Sequence, residues 1–494
     1  MKKKSVISCI FAALILLPGT SCSSAPAGTP EDSTSAPDTT PITEAPQVYY
    51  LDELSDRTFD GVTFSMVGES TEQRPNFCEE EYTGVTINDA VYERQMALES
   101  RYGISVEYYP QTSRNNAAKT VNNAVQSDDD TYDLVFNAMV SSGMSSIATA
   151  GSLTELSALP HLHFEKDHWA QRFVENMTVG GKLFYAAGGT SPSYYLSAVA
   201  CFFNVEKAKE YQLPDLYSLV LDGKWTLDTM SGLLSQCKSD LNGDGAIRVE
   251  DDFLGLVHSA ACGPAYFMAT GGQMIEKDES GTFYLNLNSA LNIDLLGKLR
   301  AVYGNTTDIY TIPDSLTKGK IGSFVNQHTM FAVTAMMFAA QELREMSAAY
   351  GVLPLPKLDE NQQDYITGSN SYAPCGTGIP RSATDVEMSA LIMEAMAFLG
   401  EEMLRPAIYD ITLNGKIAQD KESSEMLEII YSDIYFDLNS CFDFGGSAVC
   451  ARNYIIGRSA DTFISDYTAL LTKAEQKMQE LIDALSSETA KADS

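Results

Sequence analysis

The residues best spaced for chemistry run from Asp240 to Asp251, reading Asp-Leu-Asn-Gly-Asp-Gly-Ala-Ile-Arg-Val-Glu-Asp. Oxygen side chains stand at the first, third and fifth positions of a twelve-residue loop. A glycine at the sixth allows the sharp turn, the seventh offers a backbone carbonyl, and the last is acidic. That spacing wraps oxygens around a hard cation. Asp240, Asn242, Asp244, Ala246 and Asp251 are therefore the expected ligands of one structural Ca²⁺. Ile247 can anchor the loop to a small core, and Arg248, at the ninth position, can turn its charge outward. The alternative is a turn whose acids merely face solvent.

A second stretch mixes aromatic and polar groups: Tyr435-Phe436-Asp437-Leu438-Asn439, then Phe442-Asp443-Phe444-Gly445. Aromatic faces stack on the C–H surface of a polyhydroxyl ligand, while carboxylates and amides bond its hydroxyls. Tyr435, Phe436, Phe442 and Phe444 are thus candidate ligand contacts, with a core role for Tyr435 and Phe442 as the alternative. No catalytic residue is expected. Of five histidines, three are His161, His163 and His168, which read better as a solvated loop than as a metal site. Beyond Cys9 and Cys22 the cysteines are scattered without a CxxC pair; Cys441 and Cys450 are near enough to close a small disulfide loop.

The amino terminus governs where these groups work. Lys2, Lys3 and Lys4 precede an apolar stretch from Ile7 to Leu17, then Pro18-Gly19, two small residues and Cys22. This is the layout of an export signal, too short to span a bilayer comfortably. Cys22 is the expected lipid-accepting residue, and the Ser-, Thr- and Pro-rich stretch to Gln47 is a disordered tether. The chain should therefore sit on the outer face of the cytoplasmic membrane. A net charge of -33 argues against nucleic acid partners.

Strand and helix patterns must place the candidate contacts. Gly61–Val67, Ile104–Tyr109 and Tyr132–Phe136 read as strands, with helices beginning at Asn88 or Asp89 and spanning 115–125. Alternating strands and helices predict a parallel sheet whose ligand loops follow the strand carboxyl ends. Glu69, Ser70 and Thr71 follow the first strand, and Asn137 follows the third. Tyr194 and Tyr195 precede a crossing to a second lobe, read as a strand that faces them oppositely. Trp225 heads a helix of that lobe, His328 lies near its edge, and Asn370 and Tyr372 sit at the return crossing. Lys473 to Leu485 should form a short amphipathic helix.

Four stretches together resemble the extracellular solute-binding proteins of ABC importers, in the carbohydrate-type branch that includes maltose-binding protein. They are Gly151-Ser-Leu-Thr-Glu-Leu156, Gly181-Lys-Leu-Phe-Tyr-Ala186, Phe202-Phe203-Asn204 with Gly223-Lys-Trp-Thr226, and Lys318-Gly-Lys-Ile-Gly-Ser323. The resemblance spans nearly all of residues 57–470, and lacks the proline that the family places before Trp225. It implies an α/β fold of two discontinuous lobes around a cleft. The corresponding division is 1–21 signal, 22–56 anchor and tether, 57–198 first lobe, 199–370 second lobe, 371–405 return crossing with a first-lobe segment, and 406–494 helical completion of the second lobe. It further implies a monomer that captures a neutral sugar or oligosaccharide without chemistry and delivers it to an ABC permease. A secreted carbohydrate-active enzyme and a sensory surface binder are the alternatives.

Overall fold

The computed structural model describes residues 51, 54–70, 77–279, 281–313, 319, 321–370, 372–413, 421–432, 434–459 and 462–486. The export segment, Cys22, the tether and Thr71 lie outside the described residues. Two sheets of different topology organise the rest, so the fold is the two-lobed α/β arrangement expected.

The first sheet is built by alternation. β1 (Val62–Glu69) is one of its two inner strands, and the last six of its eight residues are buried. α1 (Thr86–Tyr102) begins earlier than Asn88. Val85 takes the cap position, and Asp89 reaches back to accept the N–H groups of Thr83 (2.7 Å) and Gly84 (3.1 Å). Gly103, left-handed at φ 61°, ends the helix. β2 (Ile104–Gln111) then pairs parallel with β1. Ser113 caps α2 (Arg114–Gln126) through the Asn116 N–H, and β3 (Leu134–Ala138) pairs parallel on the other side of β1. The remaining strand, β12 (Cys375–Gly378), comes from far along the chain and runs antiparallel to β3.

The second sheet has the order β10 (Tyr350–Leu353), β4 (Val199–Asn204), β9 (Thr329–Ala335), β5 (Leu254–Ser259) and β8 (Ile309–Ile312). Every residue of the central β9 is buried, as suits a run of apolar and β-branched residues covered on both faces. Trp225 is wholly buried in this lobe, its indole N–H donating to the Pro354 carbonyl at 2.9 Å.

Three segments cross between the lobes side by side. Small hydroxyl residues stitch them: Thr190 to Thr377 (2.8 Å), Ser193 to the Cys375 N–H (2.9 Å), and Ser197 to Ser369 (3.1 Å). β11 (Thr367–Gly368) pairs parallel with β13 (Ile434–Tyr435), joining the third segment. These three hydroxyls thereby find partners on the neighbouring segment, as buried polar groups require. Tyr194 and Tyr195 are not on a strand. They lie in the single helical turn α4 (Pro192–Leu196), which Pro192 starts and the Ser191 side chain caps. A fixed proline φ suits the first turn of a helix.

A long helix, Val386–Leu413, returns to pack on α1. Its middle carries Glu394, wholly buried, which accepts from His168 (2.8 Å), the Trp169 indole (2.8 Å) and the His163 N–H (3.2 Å). His168 is thus a buried hydrogen-bond partner of Glu394 rather than part of a solvated loop. The C-terminal helix, Phe463–Ser486, starts ten residues before the expected Lys473. It seats on Gly445, where a Cβ would lie 2.7 Å from the Ala474 nitrogen. The described cysteines are free thiols, so Cys441 and Cys450 do not form a disulfide. Among the described residues no helix is long and apolar enough to cross a membrane.

Candidate ligand-binding junction between the lobes

A cavity of about 170 Å³ opens where the lobes meet. One wall is α3 (Gln171–Met177), which presents Arg172, Glu175 and Asn176. Their i, i+3, i+4 spacing puts them on one helix face. Opposite stands the hairpin of β6 (Ile275–Lys277) and β7 (Phe283–Leu285), which brings Glu276, Lys277 and Phe283. The floor is Tyr435, Asp437 and Leu438, directly after β13.

The walls are fastened to each other across the lobes. Lys277 Nζ donates to the Glu175 carbonyl at 2.8 Å, and the Asn176 amide donates to the Phe436 carbonyl at 2.9 Å. Arg172 lies 5.4 Å from the Tyr435 ring centre, and Lys277 lies 4.8 Å from that of Phe283. Both are cation–π distances. Glu276 accepts from the Tyr284 hydroxyl at 2.6 Å and from the Asn286 amide. Burial holds the Lys277 ammonium below its usual range. Burial also drives the Asp437 carboxyl up to about 6, against the lowering effect of N–H groups from Met274, Asn439 and Ile275. The cavity therefore offers guanidinium, ammonium and amide donors beside carboxylate acceptors, with aromatic rings between them. Such a lining can bind several hydroxyls of a small polar solute at once.

The candidate contacts fall into three groups. Tyr435 lines the cavity and is nearly buried. Phe436, one residue on, has no exposed surface; it packs edge-on to Phe173 (5.5 Å) and stacks on Tyr194 (6.1 Å). Phe442 and Phe444 are parallel at 5.4 Å, Phe442 half-buried and Phe444 buried. Tyr194 is half-buried, whereas Tyr195 is buried with its hydroxyl 2.5 Å from Glu401. Of these residues Tyr435 lines the cavity, and Phe436 and Tyr194 stack behind it.

A second group lies along the carboxyl edge of the first sheet. Glu69 is buried at the end of β1, and Ser70 N–H donates to the Gln111 carbonyl at 2.8 Å. Asn137 is wholly buried and holds backbone, donating to the Arg114 carbonyl (3.0 Å) and accepting from the Ala138 N–H (2.9 Å). Tyr372 is exposed, with Arg114 5.9 Å from its ring, and Asn370 accepts the Tyr372 N–H at 3.1 Å. The third group is remote: Trp225 in the second-lobe core, and His328, whose Nδ1 lies 3.2 Å from the Asp252 carbonyl.

Among the described residues no cluster of three or more His, Cys, Asp or Glu side chains converges as a metal site. In the 240–251 loop, Asp240 accepts the N–H groups of Gly243 (2.6 Å) and Gly245 (2.8 Å). Asn242 accepts from Asp244 N–H and Asp244 from Ala246 N–H, both at 2.9 Å. Arg248 bonds the other Asp244 oxygen at 2.5 Å rather than turning away. The buried Asp252, not the exposed Asp251, ties the loop ends together through Leu241 N–H (2.9 Å) and Arg248 N–H (2.8 Å).

Sequence reasoning missed Arg172, Glu175, Asn176, Gln273, Glu276, Lys277 and Asp437 as cavity residues. The polar i, i+3, i+4 face of α3 was a readable signal. Asp437 stood inside the aromatic stretch but was read only as a polar neighbour.

No protein-family model matches the chain, and no curated protein matches its sequence. Solved structures match its fold. The galacto-N-biose/lacto-N-biose I-binding protein of an ABC transporter from Bifidobacterium longum, in complex with lacto-N-biose, superposes with a TM-score of 0.56 at 11% identity, covering 86% of this chain and 98% of that one. M. tuberculosis UspC gives 0.55 at 11% identity, over 84% of this chain and all (100%) of the other. The cyclic alpha-maltosyl-1,6-maltose binding protein from Arthrobacter globiformis gives 0.52 at 12% identity, over 85% and 99%. At such identities the likeness concerns the fold.

Proposed function

We propose that this chain is an extracellular solute-binding protein that captures a neutral sugar or oligosaccharide between its lobes and passes it to an ABC permease. The observation that carries the reading is the junction cavity. Both lobes contribute to it, and its donors, acceptors and rings suit a polyhydroxyl solute. Ligand pockets of this kind lie at lobe boundaries and use a few placed polar groups for orientation. Structures with this fold include complexes with lacto-N-biose and maltotetraose, which supports the ligand class. Lipid attachment at Cys22 would keep the binder beside its permease. A thermal-shift screen tests the reading, because a ligand that prefers the folded state raises its melting temperature. Lacto-N-biose, maltotetraose and other neutral oligosaccharides form one arm, with peptides and polyamines as the others. Stabilisation by a sugar is expected. Stabilisation by peptides or polyamines alone refutes it, and release of shorter sugars would assign an enzyme.

The 240–251 loop is proposed to take one Ca²⁺. Its support is the oxygen spacing together with the inward turn of the Asp240, Asn242 and Asp244 side chains, which already hold the loop's N–H groups. Arg248 would have to leave Asp244 for the ion to enter.

A further inference from the structure

Asp437 has an unusual position for a carboxylate. It is 1% exposed, and the bonds to its oxygens come from backbone N–H groups. One oxygen accepts the Asn439 N–H at 2.8 Å, which caps the short helix Leu438–Phe442. A serine or asparagine would serve for that alone. The other oxygen accepts Met274 N–H at 2.8 Å and Ile275 N–H at 3.4 Å, the base of the β6–β7 hairpin. Burying a carboxylate is costly unless its oxygens are bonded; this group also holds the hairpin, where serine would not reach and asparagine would offer only one acceptor.

Asn439 continues the chain of bonds. Its amide lies 3.9 Å from the Met274 sulfur, and its carbonyl oxygen accepts from Phe444 N–H (2.9 Å) and the Ser447 hydroxyl (3.0 Å). Asn439 and Ser447 are both wholly buried. One polar thread therefore runs from the cavity's hairpin wall through Asp437 and Asn439 to the Phe442–Phe444 pair.

We propose that Asp437 is the positioning residue of the junction, setting the hairpin wall through one carboxylate oxygen and the Phe442–Phe444 turn through the other by way of Asn439. The proposal rests on the junction being the ligand site for its functional meaning, though not for its test. Tyr435 and Cys441 on its own segment interact electrostatically with Asp437, and Arg172 and Glu175 on α3 and Glu276 and Lys277 on the hairpin line the same cavity.

Hydrogen–deuterium exchange on the whole protein, without ligand, tests the assignment. Asp437→Ser keeps the helix cap but is too short to reach Met274. It should speed exchange roughly tenfold in peptides covering 273–287 and leave 438–447 near the native rate, whereas Asp437→Ala, which loses the cap bond as well, should speed both, as loss of buried hydrogen bonds implies. Exchange in β5 and β9 should stay at the native rate. If Asp437→Ser does not fold, Asp437→Asn serves, since its shape is retained while one oxygen becomes a donor facing N–H groups. In the native protein, hairpin protection corrected for intrinsic rate should vary with pH across the carboxylate's titration, and in Asp437→Asn it should be flat. Unchanged hairpin exchange, an increase confined to 438–447, or a pH profile unaltered by Asp437→Asn overturns the proposal. Absence of sugar binding by the native protein would instead count against the solute reading and leaves these outcomes fully interpretable.

Discussion

His258 is wholly buried on β5, its ring nitrogens 2.8 Å from the Tyr266 hydroxyl and 2.9 Å from Thr311. Burial first, then Arg458, pushes its pKa from 6.5 down to about 3. The folded state thus holds a neutral imidazole. Its contribution is complete above the unfolded value of 6.5 and is lost as pH falls toward 3. Between pH 6.5 and 5 the loss should be about 2 kcal/mol, at roughly 1.4 kcal/mol per pKa unit. Asp437 acts in the opposite sense. Its raised pKa, about 6 against 3.8, gives a contribution present below 3.8 and lost as pH rises through 6. His258→Gln should therefore flatten the fall in melting temperature between pH 7 and 5, and Asp437→Asn should steepen it. Equal slopes in all three proteins would show that neither group titrates as described. Phe436 and Phe442 separate core from surface in the same stretch. Phe436→Ala should cost about 3–5 kcal/mol in denaturant unfolding, because a fully buried ring leaves a cavity. Phe442→Ala, half-buried, should cost clearly less and act on ligand affinity. The reverse ranking would move the candidate contact to Phe436.

At the scale of elements, the helix Val386–Leu413 owes its seat to Glu394 and to Gly400. A Cβ on Gly400 would fall 1.7 Å from the Gly189 carbonyl oxygen, so the helix and the crossing touch backbone to backbone. Glu394→Gln keeps the shape but turns one of the two acceptor oxygens facing His168, the Trp169 indole and the His163 N–H into a donor. Disturbing these buried bonds is expected to cost about 1–3 kcal/mol in denaturant unfolding; a stability indistinguishable from the native protein's would show that they do not hold the helix. The 240–251 loop makes the contrasting case of an element whose polar side chains already satisfy its own turn. Calcium should raise the melting temperature, and EDTA or Asp244→Ala should abolish that rise while leaving solute binding intact. Titration calorimetry with no heat, and no thermal shift, would reduce the loop to a turn. The alternation of strand and helix from β1 to β3 was legible because each element is specified by its own residues and by nearby caps such as Ser113. The helical turn holding Tyr194 and Tyr195 was not, because five residues carry too little periodicity to separate turn from strand.

At the scale of the molecule, the proposed solute-binding function predicts that lobes joined by three adjacent crossings close around the ligand. Small-angle scattering should show a smaller radius of gyration with a stabilising sugar than without it, and an unchanged radius would mean that the lobes are already closed. Full-length protein expressed with its leader should fractionate with membranes, and Cys22→Ser should release it. Equal partition of the two would rule out lipid attachment at that residue.

The amino-acid sequence by itself determined the leader pattern, the strand–helix alternation of the first lobe and the place of the Tyr435–Phe444 stretch as a meeting of aromatic and polar groups. Each depends on residue type and short-range spacing. Tertiary structure alone decided which of those groups face a cavity. Tyr435 and Phe436 are adjacent in the chain, yet one lines the junction and the other is core, because Phe173 and Tyr194 close over Phe436. Asp437 bonds Met274 and Ile275 across a long separation in sequence, and Arg172 and Lys277 come from different lobes. No local pattern encodes such pairings. They follow from where the crossings place β13 between the two lobes, and a residue's chemistry there is set by the neighbours that packing brings to it.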